Sequence, residues 1–177
     1  MTDPKSALEV LMAMQEGPVI ARDDAREAIL IHDEDLPHVT LPDGSTLQLL
    51  QVDLNQNLWI VRNRFKPGLS LIDTHYHTGP VFAVTQSGEW FYKEYPDKIN
   101  KAGSYLYEPA HSVHTITVAE DATEDAVVWF AIFGSNVNID DDGNVISVID
   151  AKTVLAVYRG LCQLEGKSAD KVIVMGE

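Results

Sequence analysis

The sequence predicts an all-β domain, a sandwich or a barrel of short strands, with a short helix at each end. Three observations support this prediction: short β-forming runs follow one another from residue 47 onward, turn residues separate them, and apolar residues near both ends recur at helical spacing. A chain of 177 residues, 45% of them hydrophobic, is enough for one compact domain. We therefore expect an N-terminal helix and extension at 1–45, the β domain at 46–150, and a C-terminal helix and tail at 151–177.

The first expected element is an amphipathic helix over residues 5–15, in which apolar residues recur near helical spacing. Asp3 and Pro4 precede it as cap and first-turn residues. An apolar helix face must be covered, so we expect this helix to pack on the β domain.

Seven strands are expected next, because seven segments are rich in β-branched and aromatic residues and are bounded by turn residues. They span residues 47–54, 58–65, 81–86, 89–95, 104–108, 113–118 and 126–133. The turn sequences include Pro42-Asp43-Gly44 and Ser87-Gly88, and Asp141-Asp142-Gly143 predicts a hairpin between Ile139 and Val145. Many short strands separated by turns are typical of a sandwich or a barrel.

The last expected element is a helix over residues 151–163. Val154, Leu155, Tyr158 and Leu161 fall on one side of it, which gives the helix an apolar face.

The charge of the chain excludes one class of partner. It carries 27 acidic and 13 basic residues, a formal net charge of −14, and this field repels nucleic acid. No apolar run approaches the roughly 20 residues that span a bilayer, and the opening residues lack the pattern of a secretion signal, so we expect no membrane partner and a cytoplasmic location. Cys162 is the single cysteine and can form no internal disulfide.

Four of the six histidines fall between residues 75 and 114. Residues i and i+2 of a strand point to the same face, so His75 and His77 present both imidazoles to one side. A metal held by these two needs a third ligand from another segment, and both His111 and His114 are candidates.

The spacing of these residues resembles the two sequence motifs of the cupin family. The first motif joins a glycine, His-x-His, a glutamate and a glycine, and the second contains a glycine, a proline and a histidine. The matching residues are Gly68, His75, His77 and Gly88 in the first motif and Gly103, Pro109 and His114 in the second. The resemblance covers about residues 47–134, implies a jelly-roll (double-stranded β-helix) cupin barrel at 46–150, and assigns the third ligand to His114.

The chain departs from these motifs at two places. Val81 and Phe82 stand where the first motif has its glutamate, and His111 and Val118 replace the glycine and the asparagine of the second motif. Three neutral imidazoles leave a divalent ion with its full charge and with open positions, which favours an anionic, chelating substrate.

Among cupins, a three-histidine site without the glutamate resembles dioxygenases that cleave carbon–carbon bonds. Residues 77–80, 103–109 and 114–115 are similar to the 2,4'-dihydroxyacetophenone dioxygenases. This resemblance implies Fe(II), with Zn(II) as the alternative ion. It also implies O2-dependent cleavage of an aryl 2-hydroxyketone to an aromatic carboxylic acid and formate. The expected partners are that ketone and O2, and cupins commonly assemble as homodimers or homotetramers.

Two further residues are candidates for catalysis. Glu108 lies six residues before His114, where related diketone-cleaving cupins also have a glutamate, and it can orient a ligand imidazole or take a substrate proton. Lys93 lies on the strand after Gly88 and is a candidate to pair with Glu108 inside the barrel. Each residue has a structural alternative, as a solvated side chain at the end or edge of a strand.

Two other functions fit the same histidines. One is a β-diketone dioxygenase of the acetylacetone type, which differs in pocket shape more than in metal ligands. The other is a non-catalytic, zinc-binding sensor cupin, because three histidines also suit Zn(II).

Overall fold

The computed structural model describes residues 27–69 and 72–176. Within these residues a 3-10 turn at Asp33–Asp35 precedes thirteen strands and one helix, α1, at Ala151–Leu164. The strands are β1 (Val39–Thr40), β2 (Thr46–Asp53), β3 (Leu58–Phe65), β4 (His75–His77), β5 (Val81–Ser87), β6 (Glu89–Tyr92), β7 (Asn100–Lys101), β8 (Tyr105–Glu108), β9 (Ile116–Thr117), β10 (Ala126–Phe133), β11 (Asn136–Ile139), β12 (Val145–Ile149) and β13 (Ile173–Met175).

The strands form three sheets. The largest has the order β1-β2-β3-β10-β5-β8, with β13 added parallel to β2, and every other pair in it is antiparallel. The two smaller sheets have the orders β12-β11-β4 and β7-β6-β9. A single antiparallel bridge between His75 and His114 ties β4 to the segment between β8 and β9. The all-β prediction with a C-terminal helix is confirmed.

Alternation along the two central strands builds the core. On β3 the side chains of Trp59, Val61 and Phe65 are buried, and on β10 those of Val128 and Phe130 are buried. These residues share one face of the sheet because successive strand residues point to opposite faces. Their β-branched and aromatic side chains suit this pleated, half-buried surface.

The turn between β5 and β6 requires its glycine. Gly88 has φ of +68°, and a Cβ added there would lie 2.4 Å from the carbonyl oxygen of Asp125. Both the left-handed conformation and the close backbone exclude a side chain. This requirement explains the glycine at the end of the first motif.

Helix α1 begins where its sequence predicts. The side chain of Asp150 accepts a hydrogen bond from the Thr153 backbone N–H at 2.7 Å, which caps the first turn. The buried face includes Val154, Leu155 and Tyr158, and the Tyr158 hydroxyl donates to the Pro37 carbonyl at 2.6 Å.

Some predicted bounds were wrong. The strand expected at 89–95 ends at Tyr92, and the strand expected at 113–118 is reduced to Ile116–Thr117. Strands β1, β7 and β13 were not predicted because two or three residues carry no measurable periodicity. The helix expected at 5–15 lies outside the described residues, so its packing and the three-part division of the chain stay predictions. No helix in the described ranges has the length and apolar character needed to cross a membrane.

Candidate metal centre

The fold brings three histidines together in the interior. His75 and His77 share one face of β4, and each is 5% exposed. The backbone N–H of His75 donates to the carbonyl of His114 at 3.0 Å, and the N–H of His114 donates back at 2.9 Å. This reciprocal pair fixes His114 beside β4. The ring centroids are 4.6 Å apart for His75 and His114 and 5.6 Å apart for His77 and His114.

The three rings fit one divalent ion. One ligand atom from each of His75, His77 and His114 lies within 4.8 Å of the other two. Metal–imidazole bonds of about 2.0–2.2 Å place ligand nitrogens about 3–4 Å apart, so small ring rotations are enough to close the set on a metal.

The hydrogen bonds of the rings leave nitrogens free for coordination. Nδ1 of His75 donates to the carbonyl of Asp73 at 2.9 Å, which leaves Nε2 as the free nitrogen. Nε2 of His114 and Nδ1 of His77 are buried and have no hydrogen-bond partner among the described residues. A buried polar atom without a partner is costly, and a bound metal satisfies such an atom.

Burial also keeps the three imidazoles neutral. Loss of solvent lowers the pKa of His77 to about 2 and the pKa of His114 to about 3, and it lowers the pKa of His75 as well. Neutral imidazole is the form that binds a metal, so these rings need to release no proton when a metal enters.

The carboxylate of Glu108 lies next to the histidine cluster. Its Oε2 lies 3.3 Å from Nε2 of His114 and 3.6 Å from Nε2 of His77, while the Tyr92 hydroxyl donates to its Oε1. Burial raises the pKa of Glu108 to about 7, against the lowering effect of the Tyr92 hydrogen bond. Glu108 pairs directly with Val81 across β5 and β8. The carboxylate that the first motif lacks near position 81 is therefore present on the neighbouring strand.

The expectation for Lys93 was wrong in its placement. Lys93 follows the end of β6, and its side chain is exposed, so it does not face the buried Glu108. The buried residues of β6 are Trp90 and Tyr92, and Tyr92 contacts Glu108 instead. Alternation counted from the buried Trp90 would have identified Tyr92 from sequence.

Two other polar residues lie near the cluster without belonging to it. Glu94 accepts hydrogen bonds from the backbone N–H and the hydroxyl of Thr115, both at 2.9 Å, and so holds the residue next to His114. His111, the second candidate for the third ligand, is exposed and lies outside the cluster. Its φ of +66° shows that it occupies the left-handed turn position where the second motif has glycine.

A cavity of about 540 Å³ opens beside the histidines, and His75, His77 and Glu108 form part of its wall. Most of the remaining wall is apolar, with aromatic side chains from Trp59, Phe65 and Phe130 among the apolar residues. No lysine or arginine of the described ranges lines it. The cavity therefore suits a largely apolar molecule of moderate size.

Comparison with solved structures identifies the fold. A protein of unknown function with a cupin-like fold from Ralstonia eutropha JMP134 is 29% identical, with a TM-score of 0.77, over 89% of this chain and 97% of that chain. An RmlC-like cupin protein from the same organism is 27% identical, with a TM-score of 0.74, over 80% and 91%. An acetylacetone dioxygenase from Acinetobacter johnsonii shares the fold at 21% identity, with a TM-score of 0.67, over 82% and 99%.

Sequence comparison identifies the family. No curated protein matches the chain. The profile of the family described as the ChrR cupin-like domain matches residues 26–133, a span that covers more than half of the chain and contains all three clustered histidines. The cupin fold expected from the two motifs is confirmed, whereas the narrower likeness to 2,4'-dihydroxyacetophenone dioxygenases stays a prediction. This chain belongs to the ChrR cupin-like domain family.

Proposed function

We propose that this protein is an iron-dependent dioxygenase that cleaves an aryl 2-hydroxyketone of the 2,4'-dihydroxyacetophenone type. The proposal rests on one observation, the composition of the cavity wall. Neutral histidines and one buried carboxylate lie next to an apolar surface, and no cationic residue of the described ranges lines the cavity. The bond between the carbonyl carbon and the hydroxymethyl carbon breaks. Both atoms of O2 enter the products, an aromatic carboxylic acid and formic acid, so that the substrate carbons lose four electrons and O2 gains them.

His75, His77 and His114 would hold the metal. When bound, Fe(II) supplies a Lewis acid for the two substrate oxygens and a redox partner for O2. Neutral ligands leave the charge of the ion available to an ionised substrate, and this matches a ketone that binds through its carbonyl and its deprotonated hydroxyl oxygen.

Glu108 would take the hydroxyl proton of the substrate. Its Oε2 has no hydrogen-bond partner among the described residues and faces two of the histidines, while its Oε1 is held by Tyr92. A carboxylate with one oxygen anchored and the other free is suited to accept a proton at a defined position. Lys93 is exposed, and we assign it no contact with the substrate.

Two alternative functions can be distinguished from this proposal by the same experiment. The acetylacetone dioxygenase that shares this fold supports a β-diketone as the substrate, since such a ketone also chelates through two oxygens. A non-catalytic zinc sensor is supported by the three-histidine set, which suits Zn(II) equally well.

The test combines metal analysis with oxygen uptake. Protein purified without added metal is analysed for iron and zinc and then reconstituted with Fe(II) under nitrogen. It is exposed to O2 with 2-hydroxyacetophenone, 2,4'-dihydroxyacetophenone or acetylacetone. The proposal predicts that one O2 is consumed for each aryl acid and each formate formed. Faster turnover of acetylacetone favours the diketone alternative, and zinc alone with no uptake after reconstitution favours the sensor.

The remaining partners are proposals as well. We expect no nucleic acid partner, and we expect a homodimer or homotetramer, which light scattering coupled to size-exclusion chromatography measures directly.

A further inference from the structure

Two asparagines stand beside the metal-binding strand. The register of β11 against β4 places Asn136 opposite His77 and Asn138 opposite His75. Residues directly opposite in an antiparallel pair project to the same face, with Cβ atoms about 4.5–5.5 Å apart. Both asparagines line the same cavity as the two histidines.

A short hydrogen-bond chain orients the first asparagine. Nδ2 of Asn136 donates to Oδ1 of Asn138 at 2.7 Å, and Nδ2 of Asn138 donates to Oγ of Ser147 at 2.8 Å. Asn136 is 8% exposed, and no group in the described part of the chain donates to its Oδ1. Its second N–H is uncommitted too, so the amide offers one acceptor and one donor at the cavity wall.

The setting of this amide points to a ligand. The Asn136 amide has hydrogen-bonding capacity to spare at a mostly apolar cavity wall, and the residues opposite the two asparagines, His77 and His75, belong to the cluster that could hold a metal. A molecule held on His75 and His77 would therefore bring its own oxygen substituents within reach of Asn136.

From this arrangement we propose that Asn136 is a specificity-determining residue that hydrogen-bonds the hydroxyl oxygen of the bound 2-hydroxyketone. This inference rests on the proposed function. Asn138 is a positioning residue, which acts by holding the Asn136 amide in place. A ketone that lacks the second oxygen leaves the amide unpaired, and a site built to hydrogen-bond a hydroxyl rejects the analogue without it.

The experiment compares two ketones on one protein. The parent chain and the Asn136→Leu variant, which keeps the side-chain size and removes both polar atoms, are loaded with Fe(II) under nitrogen. Binding of 2-hydroxyacetophenone and of acetophenone is followed by quenching of tryptophan fluorescence, because Trp59 lines the cavity. Asn100→Leu on β7, a strand that does not line the cavity, is the matched control.

The expected result is a change in discrimination rather than in metal loading. Asn136→Leu weakens the binding of 2-hydroxyacetophenone by about tenfold or more and changes the binding of acetophenone by less than about threefold, while Fe(II) content stays at the parent level. If the leucine variant does not fold, Asn136→Ser, a smaller change, replaces it in the experiment. We expect it also to reduce the preference for 2-hydroxyacetophenone over acetophenone. Asn138→Leu reduces the preference for 2-hydroxyacetophenone over acetophenone less than Asn136→Leu does. Asn138→Asp, which keeps an acceptor oxygen for Asn136, restores this preference.

The outcomes separate the two proposals. A parent protein that cleaves 2-hydroxyacetophenone, with an Asn136→Leu variant that discriminates as the parent does, overturns the role of Asn136 and leaves the proposed function intact. A parent that binds neither ketone and consumes no O2 overturns both.

Discussion

Two buried polar sites of this protein, the Gln48 amide and the histidine cluster, differ in how their own hydrogen-bonding atoms are paired. Gln48 on β2 is fully buried, and its amide donates to the carbonyls of Asp33 and Leu36 at 2.8 and 2.7 Å, while its oxygen accepts from Arg62 at 2.7 Å. The histidine cluster is equally buried, yet atoms of His77, His114 and Glu108 have no hydrogen-bond partner in the described ranges.

The difference separates a structural role from a functional one. Gln48 is surrounded by groups of the chain itself, and it joins the 3-10 turn at Asp33–Asp35 to the main sheet. The cluster has spare coordination and hydrogen-bonding capacity, which is the property of a site that receives a ligand. Substitutions in the two regions should therefore affect different measurements.

The largest expected effect is the loss of metal in His77→Ala. Two remaining imidazoles hold a divalent ion far less tightly than three, so we expect metal content and activity to fall by about a hundredfold or more. The free energy of unfolding of the metal-free protein should change little, because the variant also removes a buried atom without a partner. Elemental analysis and urea unfolding in the presence of a chelator measure the two quantities. His111→Gly, at the exposed left-handed position, is the control and should keep its metal.

The next effect is on catalysis alone. Glu108→Gln keeps the hydrogen bond to Tyr92 possible but removes the group that takes the substrate proton. We expect kcat to fall by about 10²-fold while metal content remains at the parent level. Glu89→Gln, an exposed change on β6, should leave kcat as it is. A Glu108→Gln variant with parental kcat would contradict the role of this carboxylate.

A comparable effect, on stability instead of activity, is expected for Gln48→Leu. This substitution leaves the Asp33 and Leu36 carbonyls without their donor and removes one acceptor of Arg62, so the free energy of unfolding should fall by about 2–4 kcal/mol. Metal content at low temperature should stay the same. Gln51→Leu on the same strand, where the amide contacts Met175 Sδ at an exposed position, is the matched control. Equal losses in the two variants would show that the Gln48 network does not stabilise the fold.

The sequence predicts the histidine cluster more completely than the residues around that cluster, and the reason is physical. His75 and His77 follow from a two-residue period that any strand obeys, and β3 and β10 have the bounds expected of long β-forming runs. The pair of asparagines on β11 depends on the register between segments far apart in the chain, which local pattern does not specify. The error at Lys93 has a different origin, because alternation along β6 places Trp90 and Tyr92 on the buried face and Lys93 on the opposite one.

The smallest effect is expected at a third type of polar group, one that has its hydrogen-bond partner but lies near the surface. Asp150 caps α1 through its bond to the Thr153 N–H, and its loss in Asp150→Ala should lower the free energy of unfolding by about 1 kcal/mol. The hydrogen bonds from Thr153 hold the pKa of Asp150 below its usual value of 3.8, so this contribution is fully present above that value and is lost as the pH falls through the lowered pKa. Urea unfolding at pH 7 and near pH 3 checks both statements, with Asp150→Asn as a control that keeps a capping oxygen without a titrating group. A gap between parent and Asp150→Ala that does not narrow at the lower pH would mean that the capping bond does not depend on the charge of the carboxylate.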